Sequence, residues 1–198
     1  CFLNNDIEVI AHDWMEELIS QACRPGIGAV GAKLLYPNAT IQHAGVIVGI
    51  GGWAGHSHKG FFNQSHGYVG RASLASNFSA VTGACMAVQK KHFDRVGGFD
   101  SVNLKVACND VDLCLKFIEI GLRNLYTPHA VLFHHESATR GYEDTPEKKA
   151  RFKNEVDHMW KRWPTLMAND PAYSPNLTLD HEDFGLAWPP RVRHAEPV

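Results

Sequence analysis

Apolar residues at Val111, Cys114, Leu115 and Ile118 recur at i, i+3, i+4 and i+7, and Leu113 and Phe117 widen the stripe. That period predicts a helix capped by Asn109 and stopped at Gly121. Gly97-Gly98, just upstream, predicts a tight turn with positive φ that delivers Asn109 and Asp110 to the helix start. Asp13-Trp-Met-Glu has the form of a capping box ahead of Met15, Leu18, Ile19 and Ala22, and Arg24-Pro25-Gly26 ends that helix. Ala29 to Leu35 and Ile41 to Val48 read as two strands of a hairpin around Tyr36-Pro-Asn-Ala.

Residues 49–60 are rich in Gly, His and Ser and predict a mobile loop, continued by a segment bearing Phe61, Phe62 and Tyr68. His56 and His58 have metal-pair spacing but no third ligand nearby, and the glycines lack the following helix that a dinucleotide fingerprint needs. Asn77 to Gln89 predicts a strand entered through a small-residue bend, and Lys90 to Val96 a short helix. Arg123 to Tyr126 and Ala130 to His134 predict two short extended pieces around Thr127-Pro128. Asp144 to Trp163 is an amphipathic helix with Phe152, Val156, Met159, Trp160 and Trp163 on one stripe. Packing on the core is its first reading. Flanking Lys148, Lys149, Arg151, Lys153, Lys161 and Arg162 make a membrane-surface or oligomer contact the second. The expected division is a domain over 1–163 and an irregular tail over 164–198, strapped over the surface or disordered.

With 198 residues, 44% of them hydrophobic, the chain can bury the core of one domain. A formal net charge of −2 without a basic run argues against a nucleic-acid partner. Its five cysteines lack Cys-x-x-Cys spacing, so a reducing compartment is expected, with neither a disulfide framework nor a thiolate zinc site.

Asp110 and Asp112 both stand in the first turn of the central helix, where each gains about 0.3–1 kcal/mol from the helix dipole. Residues two apart project to nearly opposite sides, so the two carboxylates are expected to differ in role. Gly-Gly-Phe-Asp, then Asn-Asp-Val-Asp-Leu-Cys-Leu-Lys, then Thr-Pro-His-Ala-Val-Leu-Phe-His-His-Glu-Ser together resemble the family 2 glycosyltransferases, of the bacterial, rhamnosyltransferase-like type. The likeness spans most of the chain. It implies a GT-A fold, an α/β three-layer sandwich, and inverting, metal-dependent transfer from a nucleotide-diphosphate sugar to a saccharide or related hydroxyl acceptor in polysaccharide biosynthesis. Asp110 matches the family's catalytic base, Asn109 replaces the preceding Glu, and Lys116 stands where many members have Arg.

Leu3-Asn4-Asn5-Asp6 resembles the family's acidic metal motif, with Asn4 in place of its first Asp. The resemblance makes Asp6 a ligand for Mn²⁺ or Mg²⁺ and Asn4 a hydrogen-bonding partner to the donor. It makes His134, with His135 as alternate, an additional metal ligand, and it places Thr82, Gly83 and Ala84, with Asn109, at the acceptor. The segment bearing Phe61, Phe62 and Tyr68 then reads as a lid or sugar-stacking surface, or as a plain surface loop. The family's N-terminal nucleotide-binding strands do not precede Cys1-Phe-Leu. The chain is therefore expected to be the acceptor-side part of a catalytic domain, with an incomplete donor site and strand edges that pair in a homodimer. A cytoplasmic setting is expected from the cysteines, with the inner face of the membrane as a second option given the basic flanks of the 144–163 helix. Two rivals from other classes are a binding or assembly module without chemistry and a His-rich metal hydrolase.

Overall fold

A computed structural model describes residues 1–135 and 145–191. In chain order the elements are β1 (Phe2–Leu3), β2 (Ile7–Val9), α1 (Trp14–Ala22), β3 (Ile27–Leu35), β4 (Ile41–His43), β5 (Val46–Val48), β6 (Ala54–His56), β7 (Ser76–Phe78), β8 (Cys85–Val88), α2 (Lys90–Arg95), α3 (Asn109–Glu119), β9 (Arg123–His134), α4 (Pro146–Arg162) and α5 (Pro164–Ala168). Seven strands form one mixed sheet in the order β1-β8-β3-β9-β2, with β4 added on β3 and β7 on β9. Among the described strands only β3 and β9 run parallel to each other.

Every residue of β3 is buried, because both of its faces are covered. Leu18 and Ala22 of α1 pack with Val30, Ala32 and Leu34. On the other face, Leu113 and Phe117 of α3 join Ala29 and Leu35, together with Met159 of α4. The fold is thus a large mixed sheet with helices on both faces. Helix α3 lies close against β3 at Gly28, where an added Cβ would stand 2.6 Å from Cβ of Phe117. Any larger residue there would push the helix off the sheet.

Several expectations need correction. Ile41 to Val48 is not one strand: the chain turns out of the large sheet at Gly45, with φ of 95°, and β5 pairs with β6 instead. Residues 49–60 are not a loose loop. Ala54–His56 is a strand, Ser57 and His58 are buried, and the His58 ring packs 4.6 Å from that of Phe184. Tyr68 is stacked on the same Phe184, at 4.8 Å and 5°, whereas Phe62 is exposed. The two extended pieces around Pro128 are one strand, β9, whose pairing with β3 jumps between Tyr126 and Val131. A bulge there accommodates the proline, which has no N–H for the ladder.

Helix α1 starts where the pattern predicts, but Asp13 makes no side-chain capping bond. Cys108, not Asn109, is the N-cap of α3. Thr145 caps α4, accepting from the Lys148 N–H, while Asp144, Glu136 and Ser137 lie outside the described residues. On the α4 stripe Met159 and Trp163 are buried and Phe152 and Val156 partly buried, as the first reading expected, whereas Trp160 is exposed. Residues 164–191 are packed rather than loose: Pro164–Ala168 is helical, and Met167, with Asp170, Tyr173 and Leu177 of the irregular stretch that follows, is buried. The Asp170 carboxylate explains this anchoring, since it accepts from Ser79 Oγ, Val48 N–H and Ala172 N–H at 2.5–2.7 Å. Among the described residues no helix is long and apolar enough to cross a membrane.

Candidate active site

The bend between β7 and β8 gathers the residues singled out from the sequence. Its backbone N–H groups are satisfied by different elements, as buried amides must be. Thr82 N–H donates to Nε2 of His43 at 3.2 Å, and Gly83 N–H donates to Oδ2 of Asp110 at 2.8 Å. Ala84 C=O accepts from Asn4 N–H at 2.9 Å. One tripeptide therefore joins β4, the head of α3 and the end of β1.

Asp110 is half-buried, and its second oxygen accepts from the Val111 N–H at 2.8 Å. Gly83 leaves its carboxylate approachable, because an added Cβ would stand 3.7 Å from Oδ2. Asn109 turns its side chain onto its own neighbour, its Oδ1 accepting from the Asp110 N–H. Asp112 points the opposite way and is fully buried, 2.9 Å from Lys116 Nζ, and it accepts from Trp163 Nε1 at 2.9 Å. Arg162 Nε lies 3.4 Å from the same carboxylate. Asp112 ties α3 to α4, and Lys116 continues the tie by donating to Gly98 C=O at 2.8 Å.

Cys108 enters α3 with φ of 62°, a left-handed conformation that a non-glycine residue holds only when its surroundings enforce it. The enforcing group is Glu155, which the sequence reading missed. Its buried carboxylate accepts from the N–H groups of Lys105, Val106 and Ala107 at 2.8–3.1 Å, fixing the loop that leads to Asp110. An acid on the inward edge of the α4 stripe was the available signal.

At the other end of the bend, Asp6 Oδ1 lies 3.2 Å from Nε2 of His134, and Asn4 Nδ2 lies 3.2 Å from the same nitrogen. Asp6 Oδ1 is buried and, among the described residues, receives no hydrogen bond. His135 donates its backbone N–H to Asp6 C=O, but its ring turns outward to Glu8 at 3.0 Å. The structure thus brings the ring of His134, and not that of His135, to the Asp6 carboxylate. Among the described residues no three His, Cys, Asp or Glu side chains cluster closely enough to hold a metal by themselves. Asp6 and His134 fit a divalent cation as a partial ligand set, with a carboxylate oxygen lacking a donor beside an imidazole nitrogen.

His43 is buried, and its Nδ1 donates to Ala32 C=O at 2.8 Å, which leaves Nε2 as the acceptor for Thr82. Burial, reinforced by the neighbouring His56, pushes its pKa down to about 3.

The chain is 54% identical over 187 residues to a Sinorhizobium fredii protein named uncharacterized protein y4gI, which covers 94% of the chain and 21% of that relative. It is 41% identical over 189 residues to the O-antigen biosynthesis protein RfbC of Myxococcus xanthus, covering 93% of the chain and 14% of that relative. The chain therefore spans about a fifth or less of the length of these curated relatives. No family model matches it.

The buried neutral His43 predicts a specific acid lability. Between its unfolded pKa of about 6.5 and its folded value, the unfolded chain binds a proton that the folded chain refuses. Stability from this group is complete above the unfolded value and falls by about 1.4 kcal/mol per pH unit below it. Denaturant melts across that range should show a shallower slope in His43→Gln than in wild type. Equal slopes would contradict the assignment.

Proposed function

We propose that this chain is the acceptor-side part of an inverting, metal-dependent glycosyltransferase of GT-A type, resembling family 2 and acting in polysaccharide biosynthesis. The observation that carries the reading is the Thr82–Ala84 bend, hydrogen-bonded at one end to Asp110 and at the other to Asn4 beside Asp6 and His134. It puts a candidate base and a candidate cation site on two sides of one small-residue platform. The polysaccharide setting draws on the Myxococcus xanthus relative, whose name is an O-antigen biosynthesis protein.

In this reading the acceptor hydroxyl lies over Gly83 and hydrogen-bonds to Asp110. Its oxygen attacks the anomeric carbon, its proton passes to the Asp110 carboxylate, and the sugar–phosphate bond breaks with its electron pair leaving on the diphosphate. Mn²⁺ or Mg²⁺, when bound, supplies charge neutralisation for that departing diphosphate. Asp6 and His134 would hold the cation, Asn4 would stand beside the His134 nitrogen, and Thr82, Gly83, Ala84 and Asn109 would frame the acceptor. The five thiols, none of them paired in a disulfide, suit a cytoplasmic setting.

Asp110→Asn in the full-length protein should lower transfer about 10²–10⁴-fold while leaving the fold and donor binding intact. Asp112→Asn should instead cost stability, about 3–5 kcal/mol, because Lys116 loses its buried partner. Turnover and thermal melts of both variants check this. An inactive but stable Asp112→Asn beside an active Asp110→Asn would reverse the two roles.

A second reading, an assembly module, draws on the sheet edges. β1 pairs with β8 and β2 with β9, and each ends the sheet among the described residues. Leu3, Val9 and Ile10 at these edges are 40–47% exposed. Free edges recruit further strands, from a second copy of this chain or from the rest of a longer protein. Light scattering across a concentration series should give a dimer mass for the chain. A monomer at every concentration would count against edge pairing.

A further inference from the structure

Gln42 and His43 are polar residues inside β4, and both are buried. His43 holds the Thr82 N–H, whereas the Gln42 side chain reaches in the other direction, to His134. Gln42 Nε2 approaches the His134 C=O at 3.5 Å, which sets the direction of the amide. Its oxygen therefore faces Nδ1 of His134, at 2.7 Å. An amide oxygen only accepts, so Nδ1 carries the hydrogen.

Nε2 of the neutral ring is left with its lone pair, and it faces Asn4 Nδ2 and Asp6 Oδ1, each at 3.2 Å. The contact with Asp6 lacks hydrogen-bond geometry, since Oδ1, among the described residues, receives no hydrogen bond. Two lone-pair atoms at this separation repel each other. They also match one edge of a coordination shell whose ligands stand at about 2.0–2.2 Å from a small divalent cation.

We propose that Gln42 is a positioning residue that locks His134 in its Nδ1–H tautomer and so aims the Nε2 lone pair beside Asp6, ready for a divalent cation. The cation part rests on the functional reading above, and the locking of the ring does not. Imidazoles that ligate metals ordinarily donate their other N–H to a carbonyl or carboxylate, and removing that acceptor typically weakens metal binding about 10–100-fold. Gln42 touches neither cation nor substrate and acts through His134.

Two measurements on the intact protein test this. Ring-¹⁵N NMR, at a pH where imidazole is neutral, reads the His134 tautomer, with His134→Gln identifying the signal. Titration with Mn²⁺ and a nucleoside diphosphate, followed by electron paramagnetic resonance, reads the site. Wild type should show His134 as Nδ1–H. Gln42→Met should mix the tautomers and weaken Mn²⁺ binding about 10–100-fold, and Gln42→Glu, which retains an acceptor, should restore both. A wild-type His134 protonated on Nε2 would overturn the proposal without any substitution, so a misfolded Gln42→Met does not spare it. Unchanged tautomer and unchanged Mn²⁺ affinity in a folded Gln42→Met would overturn it equally. A wild type that binds no Mn²⁺ yet shows a Gln42-dependent tautomer would defeat the cation reading while supporting the lock.

Discussion

The hydrogen bond from Gly83 N–H to the Asp110 carboxylate is the contact on which the arrangement of the site depends. A bend buried between β7 and β8 cannot leave its amides unpaired, because each orphan would cost about 1–3 kcal/mol. Thr82 is met by His43, Gly83 by Asp110, and Ala84 C=O by Asn4. Satisfying the bend therefore fixes the distance between the head of α3 and the end of β1. The chemistry proposed here uses that fixed distance.

The head of α3 is held from behind as firmly as from the front. Gly28 lets Phe117 lie directly on β3, Asp112 is clamped by Lys116 and Trp163, and Glu155 gathers three successive N–H groups of the preceding loop. Buried charges of this kind add little net stability over apolar packing, but removing one partner is costly. Their consequence is a fixed geometry. Asp110 is displayed from a left-handed Cys108 that these contacts keep in place.

Much of this was legible in the chain because it is local. The period of Val111, Cys114, Leu115 and Ile118 gave α3, and a separation of two residues gave Asp110 and Asp112 opposite faces. What stayed hidden depends on partners far along the chain. The apolar run Ile41 to Val48 reads as one strand, and only the conformation at Gly45 sends β5 to a different sheet. Gln42 and His43 interrupt that run with polar side chains, which is the mark of a strand serving distant partners, here His134 and Thr82. The segment after Trp163 has no period because its anchors are single buried residues, Asp170 above all. The choice between His134 and His135 needed the register of β2 on β9, which turns one ring to Asp6 and the other to Glu8.

The central claim is that one platform carries a base on one side and a cation site on the other. A crystal structure of the full-length protein with Mn²⁺, a nucleoside diphosphate and a saccharide acceptor tests it most directly. The account predicts Mn²⁺ bound to Asp6 and His134 Nε2, and an acceptor hydroxyl over Gly83 within hydrogen-bond distance of Asp110. A cation bound elsewhere, or an acceptor hydroxyl resting on a carboxylate other than Asp110, would contradict it.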